Sequence, residues 1–175
     1  MKALVVVDYQ NDFIQGIFEN PKAKAFDSEI AEMVKDFSKT GIVVVLRDVH
    51  FSNYEKTREA KIAPPHCIAG GWGSLVYGKT GDAIAVNPLV RVIQKHSFGC
   101  PELPNMLEPF LKYGLDEIVF VGIATDVSIL ANVIITQAHF QNIKITVKKD
   151  LCYSFNEKAH QDGLAAMKQF GINLE

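Results

Sequence analysis

Residues 119–128 read VFVGIATDVS. An apolar run of strand type stops at Gly122, the chain turns through Ala124, Thr125 and Asp126, and a long apolar segment of helical length follows. Ser128 therefore falls in the first turn of a helix that begins where a strand ends, the position in which an α/β sheet presents a nucleophile. Three other polar residues occupy comparable places: Asp8 ends LVVVD, Asp48 follows IVVVLR, and Lys95 ends VRVIQK. In a parallel sheet those four ends point at one crevice.

The strand-type runs, at 3–7, 42–46, 90–94, 118–121 and 143–147, consist mostly of Val, Ile and Leu, as expected of strands covered on both faces. Helical patterns lie between most of them, at 28–39, 103–113, 127–140 and 156–170, and several stop at a glycine: Gly41, Gly114 and Gly171. The alternation predicts an α/β fold: one doubly wound, Rossmann-like domain over 1–175, with a mostly parallel sheet, right-handed crossovers and helices on both faces. Residues 48–89 do not fit the alternation. They read as loop, rich in Gly, Pro and charge, and a loop that long in a small domain is usually functional.

Composition narrows the function. The chain has 175 residues, 48% of them hydrophobic, enough for one full core. A net charge of -2, a pI near 6.2 and scattered Lys and Arg residues leave no basic field for nucleic acid, so a small molecule is the expected partner. Asp8 interrupts the amino-terminal apolar run before it could act as a signal or membrane segment, and a cytoplasmic location is expected. Cys67, Cys100 and Cys152 are odd in number and lack framework spacing, which predicts reduced, buried thiols.

Two constellations carry chemistry. Asp48 and His50 alternate at a strand end, with Glu59 and His66 further along the loop; two imidazoles and one or two carboxylates suit a divalent transition metal, zinc, iron or manganese. The plain alternative is a solvated polar loop. Lys95 could equally be a solvated strand end, but beside Asp8 in a dry crevice its ammonium would hold that carboxylate ionised, and Asp8 with a nucleophile nearby reads as a proton carrier. Phe13 and Phe98 lie just beyond Asp8 and Lys95, where they could stack on a flat substrate or simply pack. PPHCIAGGWG (64–73) lacks the spacing and the Lys-Ser/Thr ending of a phosphate loop.

With these residues in hand, the chain resembles the isochorismatase-like cysteine hydrolases, most closely their nicotinamidase branch. VVVDYQNDF resembles the family's V-D-x-Q-x-D-F motif, RDVH and PPHC its D-x-H and later His motifs, and GIATDVS its G-x-x-T-D-x-C motif; together they span nearly the whole chain. The resemblance implies Asp8 as proton carrier, Lys95 as its partner, and residue 128 as nucleophile. It implies Asp48, His50, Glu59 and His66 as ligands of a metal, zinc first, that binds a substrate's ring nitrogen. It also implies a cis peptide at Ile123-Ala124, with the amides of Ala124 and residue 128 as the oxyanion hole, and a homo-oligomer.

One departure concerns activity. Position 128 is Ser where the motif has Cys; a thiol near a lysine ionises near neutral pH, whereas a serine hydroxyl needs a stronger base than a carboxylate. The expected reading is an engineered or inactivated variant of an active amidase, with a native serine hydrolase as the alternative. A second departure, apolar Val92-Ile93 where some nicotinamidases supply an aromatic wall, leaves the substrate ring open. The expected reaction is nicotinamide and water to nicotinate and ammonia. Its rivals are a vinyl-ether hydrolase of the same fold that needs no cysteine, and a noncatalytic small-molecule binder.

Overall fold

The amino-terminal apolar run forms β1 (Lys2–Val7), in which Ala3, Val5 and Val7 join one buried cluster while Leu4 and Val6 join another. The next strand, β2 (Ile42–Asp48), divides in the same way, with Ile42, Val44 and Leu46 on one face and Val43 and Val45 on the other. Strands that are apolar on both faces need a layer on each side. The computed structural model, which describes all 175 residues, supplies both layers. Four more strands follow: β3 (Arg91–Lys95), β4 (Glu117–Ile123), β5 (Lys144–Tyr153) and β6 (Asn173–Leu174). They complete a six-stranded sheet of order β3-β2-β1-β4-β5-β6, parallel at every pairing.

Helices α1 (Asn11–Ile14), α2 (Pro21–Lys24), α3 (Asp27–Thr40) and α4 (Gly78–Ala85) cover one face; α5 (Glu102–Leu107), α6 (Leu130–His139) and α7 (Glu157–Gln169) cover the other. In α3 the buried residues Ile30 and Val34 are one helical turn apart, which fixes the face turned to the sheet. The strand order reverses between β1 and β4, and a crevice opens outside their carboxyl ends, the usual ligand site of such sheets. Gly122 permits the close approach there: its φ is +120°, and a Cβ would fall 2.1 Å from the Val7 carbonyl oxygen.

The structure corrects four sequence expectations. Residues 48–89 contain α4 and short 3-10 turns at Tyr54–Lys56, Glu59–Lys61 and Trp72–Ser74. The α4 start is hidden in the sequence because its cap comes from another helix: the Asp27 carboxylate accepts from the Lys79 and Thr80 N–H groups, both at 2.9 Å. Strand β3 starts one residue later than expected and lies at the sheet edge with Arg91, Val92 and Gln94 exposed, so it is not covered on both faces. The short β6 was not anticipated. Finally, the helix after β4 opens with a wide π-helical turn, Thr125–Ile129, before α6 begins.

At the opposite end of the strands from the crevice, buried Glu117 accepts from Thr146 Oγ1 at 2.6 Å and pairs with Lys2 and with Lys144, the latter at 3.0 Å. Burial alone would raise its pKa, but those partners outweigh burial and hold it at about 2. A depressed folded-state pKa gives stability that is present above the ordinary glutamate range and lost as the pH falls toward 2. Glu117→Gln is expected to lower unfolding free energy at pH 7 by about 2 kcal/mol, after allowance for the solvated lysines, with the difference shrinking between pH 4.5 and 2. Urea denaturation at several pH values measures it; a deficit independent of pH would contradict the assignment.

Candidate active site

Asp8 follows the last residue of β1 with φ +49°, which turns its side chain into the crevice. It is buried, and the ammonium of Lys95, the last residue of β3, lies 2.8 Å from its Oδ2. Apart from the Lys95 ion pair at Oδ2, neither carboxylate oxygen has an aligned hydrogen-bond donor. Burial pushes the Asp8 carboxyl up to about 6, reinforced by the Asp48 charge and opposed by Lys95 and the Ser128 hydroxyl. Lys95 is buried too; burial would lower its pKa, but Asp8 and Asp48, whose Oδ1 is 3.5 Å away, raise it instead and keep the ammonium charged.

Asp48 ends β2 and joins the second constellation. Its Oδ2 lies 3.1 Å from His50 Nε2 and 3.2 Å from His66 Nε2, while Glu59 Oε1 is 3.5 Å from His66 Nε2 and Glu59 Oε2 is 3.8 Å from His50 Nε2. The ligand atoms of these four residues all lie within 4.8 Å of one another. Burial would raise the Asp48 carboxyl, but the two imidazoles and Lys95 outweigh it and hold it well below the usual carboxylate range. His66 Nδ1 lies 2.8 Å from the Pro64 carbonyl oxygen; with its proton there, Nε2 turns its lone pair on the cluster. Burial lowers the His66 pKa, yet Asp48, Glu59 and the Pro64 carbonyl together bring it to about 10, so a proton stands where the donor set suits a cation. Two imidazole nitrogens and two carboxylates fit zinc, iron or manganese.

Ser128 sits in the π-helical turn, nearly buried, at the end of the path through β4. The peptide Ile123-Ala124 is cis, and the Ala124 N–H donates to no protein acceptor, while the Ala124 carbonyl accepts from Ile129 at 3.0 Å. Asp8, Asp48, Glu59, His66, Ala124 and Ser128 all line one cavity of about 370 Å³ together with Phe13 and Phe98. His50 and Lys95 do not reach its wall; they support Asp48 and Asp8 from behind.

Several further contributors support the site. Phe18 and Phe155 line the cavity, with ring centroids 5.4 Å apart, and both Phe13 and Phe18 pack edge-on against His66. Gln10, fully buried, accepts from the Asp48 N–H at 2.6 Å and donates to the Asp48 carbonyl at 2.8 Å, so it fixes the end of β2 to the segment after β1. Asn132 donates to the carbonyls of Ser128 and Phe98 and accepts from the Cys100 N–H, tying the loop after β3 to the π turn. Two of these were legible in the sequence: Gln10 as the Gln of the VVVDYQNDF motif, and Asn132 as a polar residue inside an apolar helix.

The fold has known relatives. Residues 2–174 match the Isochorismatase domain. The chain belongs to that family. Among relatives, an uncharacterized isochorismatase family protein, PncA of Bacillus subtilis, is 26% identical over 166 residues, covering 91% of this chain and 90% of that one. The crystal structure of a pyrazinamidase/nicotinamidase from Streptococcus mutans superimposes with a TM-score of 0.86 at 24% identity over the full length of both chains. That of the pyrazinamidase of Pyrococcus horikoshii in complex with zinc gives a TM-score of 0.83 at 22% identity, covering 99% of this chain and 98% of that one. No helix of this isochorismatase-family chain is long and apolar enough to cross a membrane.

If the four-residue cluster binds a metal, adding zinc to metal-stripped protein should raise the melting temperature, by about 4 kcal/mol of added stability at a thousandfold excess over Kd. His50→Ala and His66→Ala should each cut zinc affinity by about tenfold or more and erase most of that gain. Calorimetric titration and melting curves read this without any activity; unchanged affinity in both variants would remove the cluster from consideration.

Proposed function

We propose that the chain is an amidohydrolase of the nicotinamidase type, built to convert nicotinamide and water to nicotinate and ammonia. The observation that carries the reading is that Asp8, Ser128 and Ala124, whose N–H is free, line one largely apolar cavity together with Asp48, Glu59 and His66 of the imidazole and carboxylate cluster. Nicotinamide has the matching pair of functions, a carboxamide and a ring nitrogen on one flat ring. The zinc-bound pyrazinamidase and the pyrazinamidase/nicotinamidase among its structural neighbours support the same choice.

In this reading Asp48, His50, Glu59 and His66 hold a divalent metal, zinc first, which when bound supplies a Lewis acid for the ring nitrogen. Phe13 and Phe98 flank the ring, and this positioning brings the amide to residue 128. The nucleophile at 128 attacks the carboxamide carbon, and the amides of Ala124 and residue 128 take the charge that develops on oxygen, worth roughly 3 to 4 kcal/mol per donor. Asp8 carries the nucleophile's proton to the departing ammonia, then takes one from the water that releases nicotinate; burial of Asp8, which moves it up to about 6, suits a group that must both give and accept. Lys95 stays charged and holds Asp8 in place.

With Ser at 128 this machinery is idle. Asp8 is far too weak a base for a serine hydroxyl, and Lys95, held as an ammonium by two carboxylates, is no base at all, which argues against a native Ser-Lys hydrolase. The isochorismate-type rival is disfavoured by charge: three carboxylates and no Lys or Arg line the cavity, a poor host for a dicarboxylate substrate.

Ser128→Cys is expected to raise the rate of ammonia release from nicotinamide by several orders of magnitude, since loss of a nucleophile commonly costs on the order of a millionfold. Robust turnover by the serine form, with nothing gained from cysteine, would refute the reading. In the Ser128→Cys background, Asp8→Asn should lower kcat by about a hundredfold to ten-thousandfold, the usual contribution of a proton carrier. Steady-state kinetics with zinc present tests it, and an unchanged kcat would take Asp8 out of the mechanism.

A further inference from the structure

Two loops far apart in the sequence close over the cavity, one between α1 and α2 and the other between β5 and α7. The first brings Phe18 and the second Phe155, and their rings meet at 5.4 Å with Phe13 stacked on Phe18 at 5.5 Å. Phe155 is 48% exposed and so has little packing of its own to hold it. What joins the loops is Asn20. Its Oδ1 accepts from the Ala23 N–H at 3.0 Å, which caps α2, and its Nδ2 donates to the Ser154 carbonyl at 2.8 Å, one residue before Phe155. The side chain is buried, and both ends of its amide are satisfied by backbone from different loops. Lys22 adds an outer tie to the same segment, 2.7 Å from Glu157 and 4.4 Å from the Tyr153 ring centroid.

We propose that Asn20 is a positioning residue for specificity: by joining the loops it sets the Phe18 and Phe155 rings as a roof that selects flat, uncharged, single-ring amides. The proposal deepens the amidase reading and rests on it for the amide, though not for the ring. Asn20 touches neither the cavity wall nor the metal cluster, so its effect reaches the ligand only through the phenylalanines. A lost aromatic contact is worth enough to weaken ring binding by up to about tenfold.

The test uses the chain as it stands, with Ser128, and benzamide as probe, because benzamide has the ring and the amide but no ring nitrogen for a metal. Calorimetry is expected to give a benzamide Kd that rises about fivefold to tenfold in Asn20→Ala and again in Asn20→Asp, where a carboxylate would face the Ser154 carbonyl. Zinc affinity should stay within about twofold, since His66, although it touches the Phe18 edge, is held by the Pro64 carbonyl, Asp48 and Glu59. Phe155→Ala, at a half-exposed position that tolerates truncation, should weaken benzamide to a similar degree, and Asn20→Ala added to it should cost little more, because both changes remove one roof.

Additive losses would show that Asn20 does not act through Phe155. Parallel loss of zinc affinity would show general loosening. Failure of the unaltered chain to bind benzamide, or an unchanged Kd in the Asn20 variants, would remove the roof as a ring site. Each of these overturns the proposal. Benzamide binding that responds to Asn20 as expected, alongside a Ser128→Cys form that releases no ammonia, would uphold the roof while refuting the amidase reading.

Discussion

One ammonium, that of Lys95, is shared between two buried carboxylates that belong to different halves of the site. It lies 2.8 Å from Asp8 and 3.5 Å from Asp48, with the Ser97 carbonyl as a further acceptor at 3.0 Å. Two carboxylates this deep in a dry crevice would otherwise repel each other and lose hydration together. Lys95 makes it possible for Asp8 to face residue 128 while Asp48 faces the imidazoles. The cost is that Lys95 cannot titrate and cannot serve as a base. Its position at the end of β3, next to β2, follows from the register in which Asp48 pairs directly with Lys95.

The sheet supplies the rest of the geometry. Reversal of strand order between β1 and β4 opens the crevice, and the polar ends of β1, β2 and β3 and the turn after β4 all arrive at it because every strand runs the same way. Parallel strands fix where their ends lie but not where the following loops go. Buried amides do that work: Gln10 holds the end of β2, Asn132 holds the turn that carries Ser128, and Asn20 holds the aromatic roof. Each has both a donor and an acceptor on one short arm, so each can satisfy backbone N–H and C=O groups without bringing a charge into the interior.

That division explains what could be read from the chain beforehand. Strands such as β1, β2 and β4 announce themselves because runs like LVVV and VVVL have no other stable fate in a domain of this size, and the strand-end residues Asp8, Asp48 and Lys95 come with them. The ligand cluster was readable from the chemistry of Asp48, His50, Glu59 and His66, although only the fold brings Glu59 and His66 back to the strand end. Helix α4 was hidden, because its N-terminus is satisfied by Asp27 from across the interface and not by a local cap. Phe18 and Phe155 were hidden for a different reason: a phenylalanine in a loop has no periodicity, and its role depends on a contact with a residue more than a hundred positions away.

The charges of the site narrow what it can accept. Asp8, Asp48 and Glu59 bring three carboxylates to the cavity wall, and Lys95 supplies one positive charge from behind. A divalent cation would make up that deficit of two, and the same carboxylates raise the His66 pKa to about 10. With a divalent cation bound the site would be balanced, and a neutral ligand would enter without a charge penalty. The proposed amide hydrolysis would leave a carboxylate in the same cavity next to Asp8, and the like charge of that neighbour would favour departure of the acid product.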